Sequence, residues 1–324
     1  MELGGYFELE KNEDKSYHTS AVRLNSGRNC LRVLIRSRKI ERIYLPYYIC
    51  NAVVEACQLE ECKIFFYFLG QDFKLKKEIE GFNTNRDYLY LVNYFGVLSI
   101  DDILAFKSKY KNIVVDNTQA FFMQQVENID TIYTCRKFFG VPDGAYLYTD
   151  SVIEEKYERD YSYARMAHIL GRFELGGEKF YELYTKNEDK FSTMPIRYMS
   201  KLTDNLMSII DYDKSKRRRT SNYCLLYRKL HHLNKLNLPE KIDGAFAYPL
   251  FIYNAKQIRM KLIEAKIFIP QYWKEVLGRV GERTIEFLFV QDILWLPCDQ
   301  RYGEREMNYL VEKLLRFLEL TGKI

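Results

Sequence analysis

A chain of 324 residues is longer than one hydrophobic core usually serves, which predicts a large domain and a smaller one. Hydrophobic residues make up 47% and charged residues 29%, a balance that excludes a disordered or fibrous chain. The net charge of +5 is spread through mixed acidic and basic residues, too mild a bias for nucleic acid, and no apolar run approaches the roughly 18 residues of a membrane span.

Taken in chain order, short β-branched or aromatic runs alternate with helical patterns. Asn29 to Ser37 predicts a helix, Arg42 to Leu45 a strand, Cys50 to Gln58 a helix, and Lys63 to Phe68 and Tyr88 to Val92 two strands. Ile100 to Tyr110 predicts a helix, and Asn112 to Val115, Thr131 to Thr134 and Ala145 to Tyr148 three more strands. That alternation is the signature of a mostly parallel sheet covered by helices. Tyr157 to Tyr184 is helical in pattern and rich in tyrosine, and Met199 to Leu233 reads as one long amphipathic helix before Pro239. The final third, Ala245 to Ile324, mixes short strands with a terminal helix, so a division into a large domain over 1–213 and a small one over 214–324 is expected.

Seven cysteines, at 30, 50, 57, 62, 135, 224 and 298, form no Cys-x-x-Cys pair and no zinc-spaced cluster with histidine, so reduced thiols and no metal are expected. The first residues lack a basic region followed by an apolar stretch, which makes the cytoplasm the expected location. The 27 Tyr and 21 Phe suit a core first, and a flat ligand or a subunit interface second. His18, His168, His231 and His232 show no metal spacing and read as packing residues. Arg136 and Arg197 suit either an acidic substrate group or an ordinary salt bridge, and Glu174 and Glu178 flank a glycine turn.

In an open parallel sheet, ligands collect beyond the carboxyl ends of the strands, which directs attention to three segments. Leu24-Asn-Ser-Gly-Arg28 leads into a helix and offers backbone N–H groups, a hydroxyl and a cation to a phosphate, while an ordinary helix cap at Ser26 is the commoner explanation of these residues taken alone. Asn112-Ile-Val-Val-Asp116 ends in a carboxylate that suits a cationic ring nitrogen, with a capping aspartate as the plain alternative. In Thr134-Cys-Arg-Lys137-Phe-Phe-Gly140, walls of Phe138 and Phe139 would desolvate the lysine, lower its pKa and make it nucleophilic toward an aldehyde. One surface lysine among many is the alternative.

The order of these segments, with Gln119 completing an Asp-x-x-Gln, is similar to that of the fold-type-I pyridoxal-phosphate enzymes, and within them resembles the DegT/StrS-type family of sugar aminotransferases. Leu45-Pro46-Tyr47-Tyr48, Val92-Asn93-Tyr94-Phe95-Gly96, Met199-Ser200, Ile269-Pro270 and Leu296-Pro297-Cys298 resemble further family segments. The resemblance implies an aspartate-aminotransferase-like α/β fold, with a mostly parallel sheet in the large domain and a smaller C-terminal α/β domain. It implies pyridoxal 5′-phosphate as cofactor, Lys137 as the lysine that holds it covalently and moves a proton, and Asp116 on the pyridine nitrogen. Gln119 would meet the ring hydroxyl, Ser26, Gly27, Arg28 and Thr134 the phosphate, and Tyr48 the ring face, with Asn93 standing where a histidine is common.

Two departures stand out: Gly140-Val-Pro-Asp-Gly144 follows the lysine where the family commonly shows Gly-Glu-Gly-Gly, and Thr134 replaces a serine. The resemblance further implies transamination of a nucleotide-linked keto-sugar in surface-polysaccharide or amino-sugar biosynthesis, glutamate as amino donor, and a homodimer with neither nucleic acid nor membrane as partner. Sugar dehydration or elimination on the same cofactor, and a non-catalytic binding module on the same fold, are the alternatives.

Overall fold

Regular structure begins with a three-residue strand, β1 (Val22–Leu24), and helix α1 (Gly27–Arg38), in a computed structural model that describes residues 3–12 and 16–322. Ser26 caps α1 by accepting a hydrogen bond from the Asn29 N–H at 3.2 Å, and the helix ends where Lys39 turns left-handed at φ 52°. Its inner face buries Cys30, Leu31, Val33, Leu34 and Ile35. There follow β2 (Arg42–Pro46), α2 (Asn51–Leu59), β3 (Lys63–Tyr67), β4 (Asp87–Val92), α3 (Ile100–Tyr110), β5 (Ile113–Asp116), β6 (Asp130–Thr134) and β7 (Ala145–Tyr148).

These strands form one seven-stranded sheet in the order β1-β7-β6-β5-β4-β2-β3. The pairs from β3 through β2, β4 and β5 to β6 are parallel, while β7 runs antiparallel to both β6 and β1. Every residue of β5 and β6 is buried, as central strands covered on both faces require. The parallel pairing has a functional consequence: the carboxyl ends of β2, β4, β5 and β6 open onto the same edge.

The chain continues through α4 (Ala167–Leu175), α5 (Tyr181–Lys190), α6 (Lys201–Ser208) and α7 (Tyr212–Leu230) to β8 (Ala247–Phe251), α8 (Lys256–Glu264), α9 (Ile285–Asp292), β9 (Ile293–Pro297) and α10 (Glu304–Leu320). Strands β8 and β9 pair antiparallel as a separate two-stranded sheet. The C-terminal part is fastened to the large sheet: Glu275 accepts from the Asn51 N–H at 2.9 Å, and Arg279 donates to the Ile49 carbonyl at 2.9 Å, both at the start of α2. No described helix is long and apolar enough to cross a membrane.

Two expectations are corrected. The segment from Tyr157 to Tyr184 is not one helix: its first residues run extended beside Tyr198, whose N–H donates to the Glu158 carbonyl at 2.9 Å, and Gly176, at φ 89°, then divides α4 from the turn leading to α5. The long helix expected from Met199 to Leu233 breaks after Ser208, because the Asp211 carboxylate starts a new helix by accepting from the Lys214 N–H at 2.8 Å.

Candidate active site

Asp116 closes β5 with its side chain 5% exposed at the open edge of the sheet. Its Oδ2 accepts from the Tyr90 hydroxyl of β4 at 2.9 Å and its Oδ1 from the Thr118 N–H at 2.8 Å, both neutral donors. Lys137 lies just past the end of the neighbouring strand β6, with an exposed side chain whose Nζ donates to Thr118 Oγ1 at 3.0 Å. Thr118 thus holds the carboxylate through its backbone and the amine through its hydroxyl. A Cβ on Gly27 would sit 3.6 Å from Thr118 Cγ2, which brings the N-terminus of α1 to the same place. That first turn carries no acidic residue, so its free N–H groups and positive dipole end are left to attract an anion. The Cys50 thiol at the start of α2 joins them: burial pushes its pKa up, the Lys137 amine pulls it down, and the Asp116 carboxylate pushes it up again.

The other residues expected here are placed as follows. Ser26 caps α1 and is 4% exposed. The Arg28 guanidinium bonds Glu55 at 2.9 Å and the Phe191 carbonyl at 3.0 Å, tying α1 to its flanks. Thr134 is 7% exposed and donates to the Gly144 carbonyl at 3.4 Å. Gln119 is buried, and its Oε1 accepts from the N–H of Phe95, a residue held at φ 56°. Asn93 is fully buried between Asn117, Met123 and the Leu98 N–H, so its amide serves the strand-end turn. Tyr48 is enclosed among Tyr94, Trp273 and Phe289, and its ring presents no open face to a ligand.

Phe138 and Phe139 do not wall in Lys137. Hydrogen bonds from their N–H groups to the Cys135 carbonyl, at 3.0 and 2.9 Å, form a tight turn that sends both rings into a second core cluster with Phe121, Phe122 and Tyr146, away from the exposed amine. The turn is held from the far end of the chain, since the Phe138 carbonyl accepts from Arg219 Nη2 at 3.1 Å and from Gln300 Nε2 at 2.7 Å. Arg219 lies 4.5 Å over the Phe138 ring and also donates to the Ala245 carbonyl at 3.0 Å; burial pushes its pKa down to about 10. Asp143, fully buried, accepts from the Ser200 N–H at 2.9 Å and hydroxyl at 2.7 Å and from the Thr203 hydroxyl, so the Gly140–Gly144 segment anchors the start of α6.

Sequence reasoning passed over Tyr90, Cys50, Asp143, Arg219 and Gln300. Tyr90 was within reach, because β4 pairs with β5 in a register that sets Val92 beside Asp116 and so Tyr90 on the same sheet face two residues earlier. Arg219 and Gln300 carry no local signal, as both contacts cross more than half the sheet's sequence span. Arg136 pairs with Glu188 and lies 3.9 Å over Phe191, and Arg197 faces Glu158 and Asp160 at 3.7 Å, so each has the ordinary partners that a salt-bridge reading expects. Among the described residues, no group of three or more His, Cys, Asp and Glu is arranged to hold a metal ion.

Comparison with known proteins returns no matching family model and no matching curated protein. Solved structures do match. DesV from S. venezuelae, in complex with a ketimine intermediate, superposes at a TM-score of 0.65 with 15% identity, covering 92% of this chain and 85% of that one. The chain has the fold-type-I architecture. NtdA from Bacillus subtilis, with bound cofactor PMP, matches at 0.65 and 13% identity over 92% of this chain and 73% of its own. The sugar aminotransferase CalS13 from Micromonospora echinospora matches at 0.61 and 11% over 91% and 86%. At such identities it is the fold that is shared: a mostly parallel seven-stranded sheet, in which Asp116 here ends β5 and Lys137 lies just past the end of the adjacent β6.

Proposed function

We propose that this chain is a pyridoxal-phosphate-dependent aminotransferase acting on a keto-sugar. The observation that carries this reading is the meeting of Asp116 and Lys137 at Thr118, next to an α1 N-terminus free of acidic residues. A buried carboxylate with neutral partners, an exposed amine and an anion-seeking helix end are what a cationic ring nitrogen, an aldehyde and a phosphate each need. The residues therefore fit pyridoxal phosphate. When bound, the cofactor supplies an electron sink for the carbon that gains or loses the amino group.

The chain's own groups do the rest. Asp116 holds the ring nitrogen and its proton. Lys137 would hold the cofactor at its aldehyde and, when freed, would be the amine that takes a proton from the substrate carbon and returns it. Thr118 aims that amine, and the Ser26 and Gly27 turn binds the phosphate, with Thr134 beside Gly144 as a further hydroxyl. Gln119, Asn93 and Arg28 act through the backbone they hold, and Tyr48 through the packing of the interior. The fold relatives crystallised with PMP or as sugar aminotransferases support the cofactor and substrate class. In this reading the keto-sugar is nucleotide-linked, glutamate donates the amine, and the product feeds surface-polysaccharide or amino-sugar synthesis in the cytoplasm, where seven free thiols are at home. The working form is a homodimer, which would cover Tyr161, Tyr163 and Phe173, all strongly exposed in the single chain.

The test is the visible spectrum of the protein with pyridoxal phosphate, before and after borohydride. A cofactor band that borohydride fixes to the Lys137 peptide, and that Lys137→Ala lacks, is expected. Absence of any band in the wild-type protein would exclude the cofactor and leave a non-catalytic binding module on the same fold.

A further inference from the structure

Resting on the cofactor reading above, we infer that Tyr90 is a positioning residue for Asp116: its hydroxyl, 2.9 Å from Oδ2, holds the carboxylate aimed at the cofactor's ring nitrogen. A carboxylate 5% exposed loses most of its hydration and must find its hydrogen bonds within the protein. Asp116 receives two, one on each oxygen. The Thr118 N–H fixes Oδ1. The Tyr90 hydroxyl fixes Oδ2 and leaves that oxygen a second lone pair for a ring N–H.

The surroundings favour this task for Tyr90. Within electrostatic reach of Asp116 lie the thiols of Cys30 on α1 and Cys50 at the start of α2, and the phenols of Tyr90 and Tyr94. Burial raises the pKa of all four, so each stays neutral and none supplies a counter-charge. The Lys137 amine donates to Thr118 and, in this reading, is taken up by the cofactor. Tyr90 is itself immobile: it is 2% exposed, its strand is paired on both sides, and its carbonyl accepts from the Tyr67 hydroxyl at 2.8 Å. A phenol held this way cannot swing out of reach of Oδ2, whatever the ligand does.

Tyr90→Phe removes one oxygen and keeps the ring that fills the core, so it separates the hydrogen bond from the packing. The experiment is equilibrium binding of pyridoxal phosphate to cofactor-free protein, read by absorbance. Tyr90→Phe is expected to bind about tenfold more weakly. In an Asp116→Asn background the same change should alter affinity less than about twofold, because the partner it serves is gone. A deficit that persists in full beside Asp116→Asn marks a merely structural tyrosine and overturns the inference, as does a Tyr90→Phe protein that binds like wild type. In each of those cases wild type still binds and the cofactor reading stands; a wild-type protein that binds nothing overturns both together.

Discussion

His18 lies 3% exposed in a ring of aromatic side chains, with Phe121, Tyr133 and Tyr146 against its faces and edges. Its Nε2 is 3.1 Å from the Phe121 carbonyl, which can only accept, so Nε2 carries the proton while Nδ1 accepts from the Tyr148 hydroxyl at 3.2 Å. Desolvation holds this neutral ring down to a pKa of about 4, against 6.5 for an ordinary histidine. The sign follows from linkage: between those values the unfolded chain binds a proton that the folded chain refuses. The stability is thus fully present above about pH 6.5 and falls by about 3 kcal/mol as the pH drops toward 4. Urea unfolding at pH 7.5 and 4.5 should show this drop, and His18→Phe should show a drop smaller by that amount. Equal drops in both proteins would mean that His18 titrates freely. At this scale the sequence was a good guide to the position of Asp116, because a polar residue closing an apolar strand must lie at the sheet's edge, and to that of Lys137, which follows just past β6. It was a poor guide to Phe138 and Phe139, whose direction is decided by a turn of two backbone hydrogen bonds rather than by residue type.

Among the elements, the strands of the sheet were legible because each is a short β-branched or aromatic run closed by a turn, and the six expected ones fall within a residue or so of their observed limits. β1 escaped notice since three residues carry no period, and it is a strand only by virtue of pairing with β7. The turn from Lys137 into β7 is the element least readable in advance. Gly144 sits there at φ 112°, where a Cβ would meet Thr203 Cγ2 at 2.9 Å, Cys135 Sγ at 3.0 Å and Met199 Cε at 3.2 Å. Glycine is required both by the backbone angle and by the close approach of α6. Gly144→Ala should therefore cost roughly 2–4 kcal/mol in urea unfolding. Gly278→Ala, with nothing near its would-be Cβ, should stay within about 0.5 kcal/mol of wild type. A Gly144→Ala protein as stable as wild type would show that the turn relaxes freely. The turn is thus built around a glycine and the buried carboxylate of Asp143.

For the molecule as a whole, Tyr161, Tyr163, Phe173 and Tyr181 are each more than half exposed between β7 and α6, a concentration of apolar surface that a lone soluble chain rarely shows. Sedimentation equilibrium should give twice the 38.8 kDa of the chain, and a Tyr163→Glu, Phe173→Glu double variant should shift the mass toward a single chain. A wild-type protein that sediments as one chain at all concentrations would rule the dimer out. The surplus of aromatics was visible in the composition, but its division between core and surface depends on the folded path. One contact reaches further than its size suggests. The Phe138 carbonyl, next to Lys137, is completed by Gln300, which lies 162 residues later in the chain. During synthesis the sheet and its strand-end carboxylate can form early, yet the lysine's turn waits for nearly the last part of the chain to emerge. A half-made protein would therefore carry Asp116 in place and the Lys137 amine still loosely held, so the proposed joining of that amine to pyridoxal phosphate would be among the last events in its maturation.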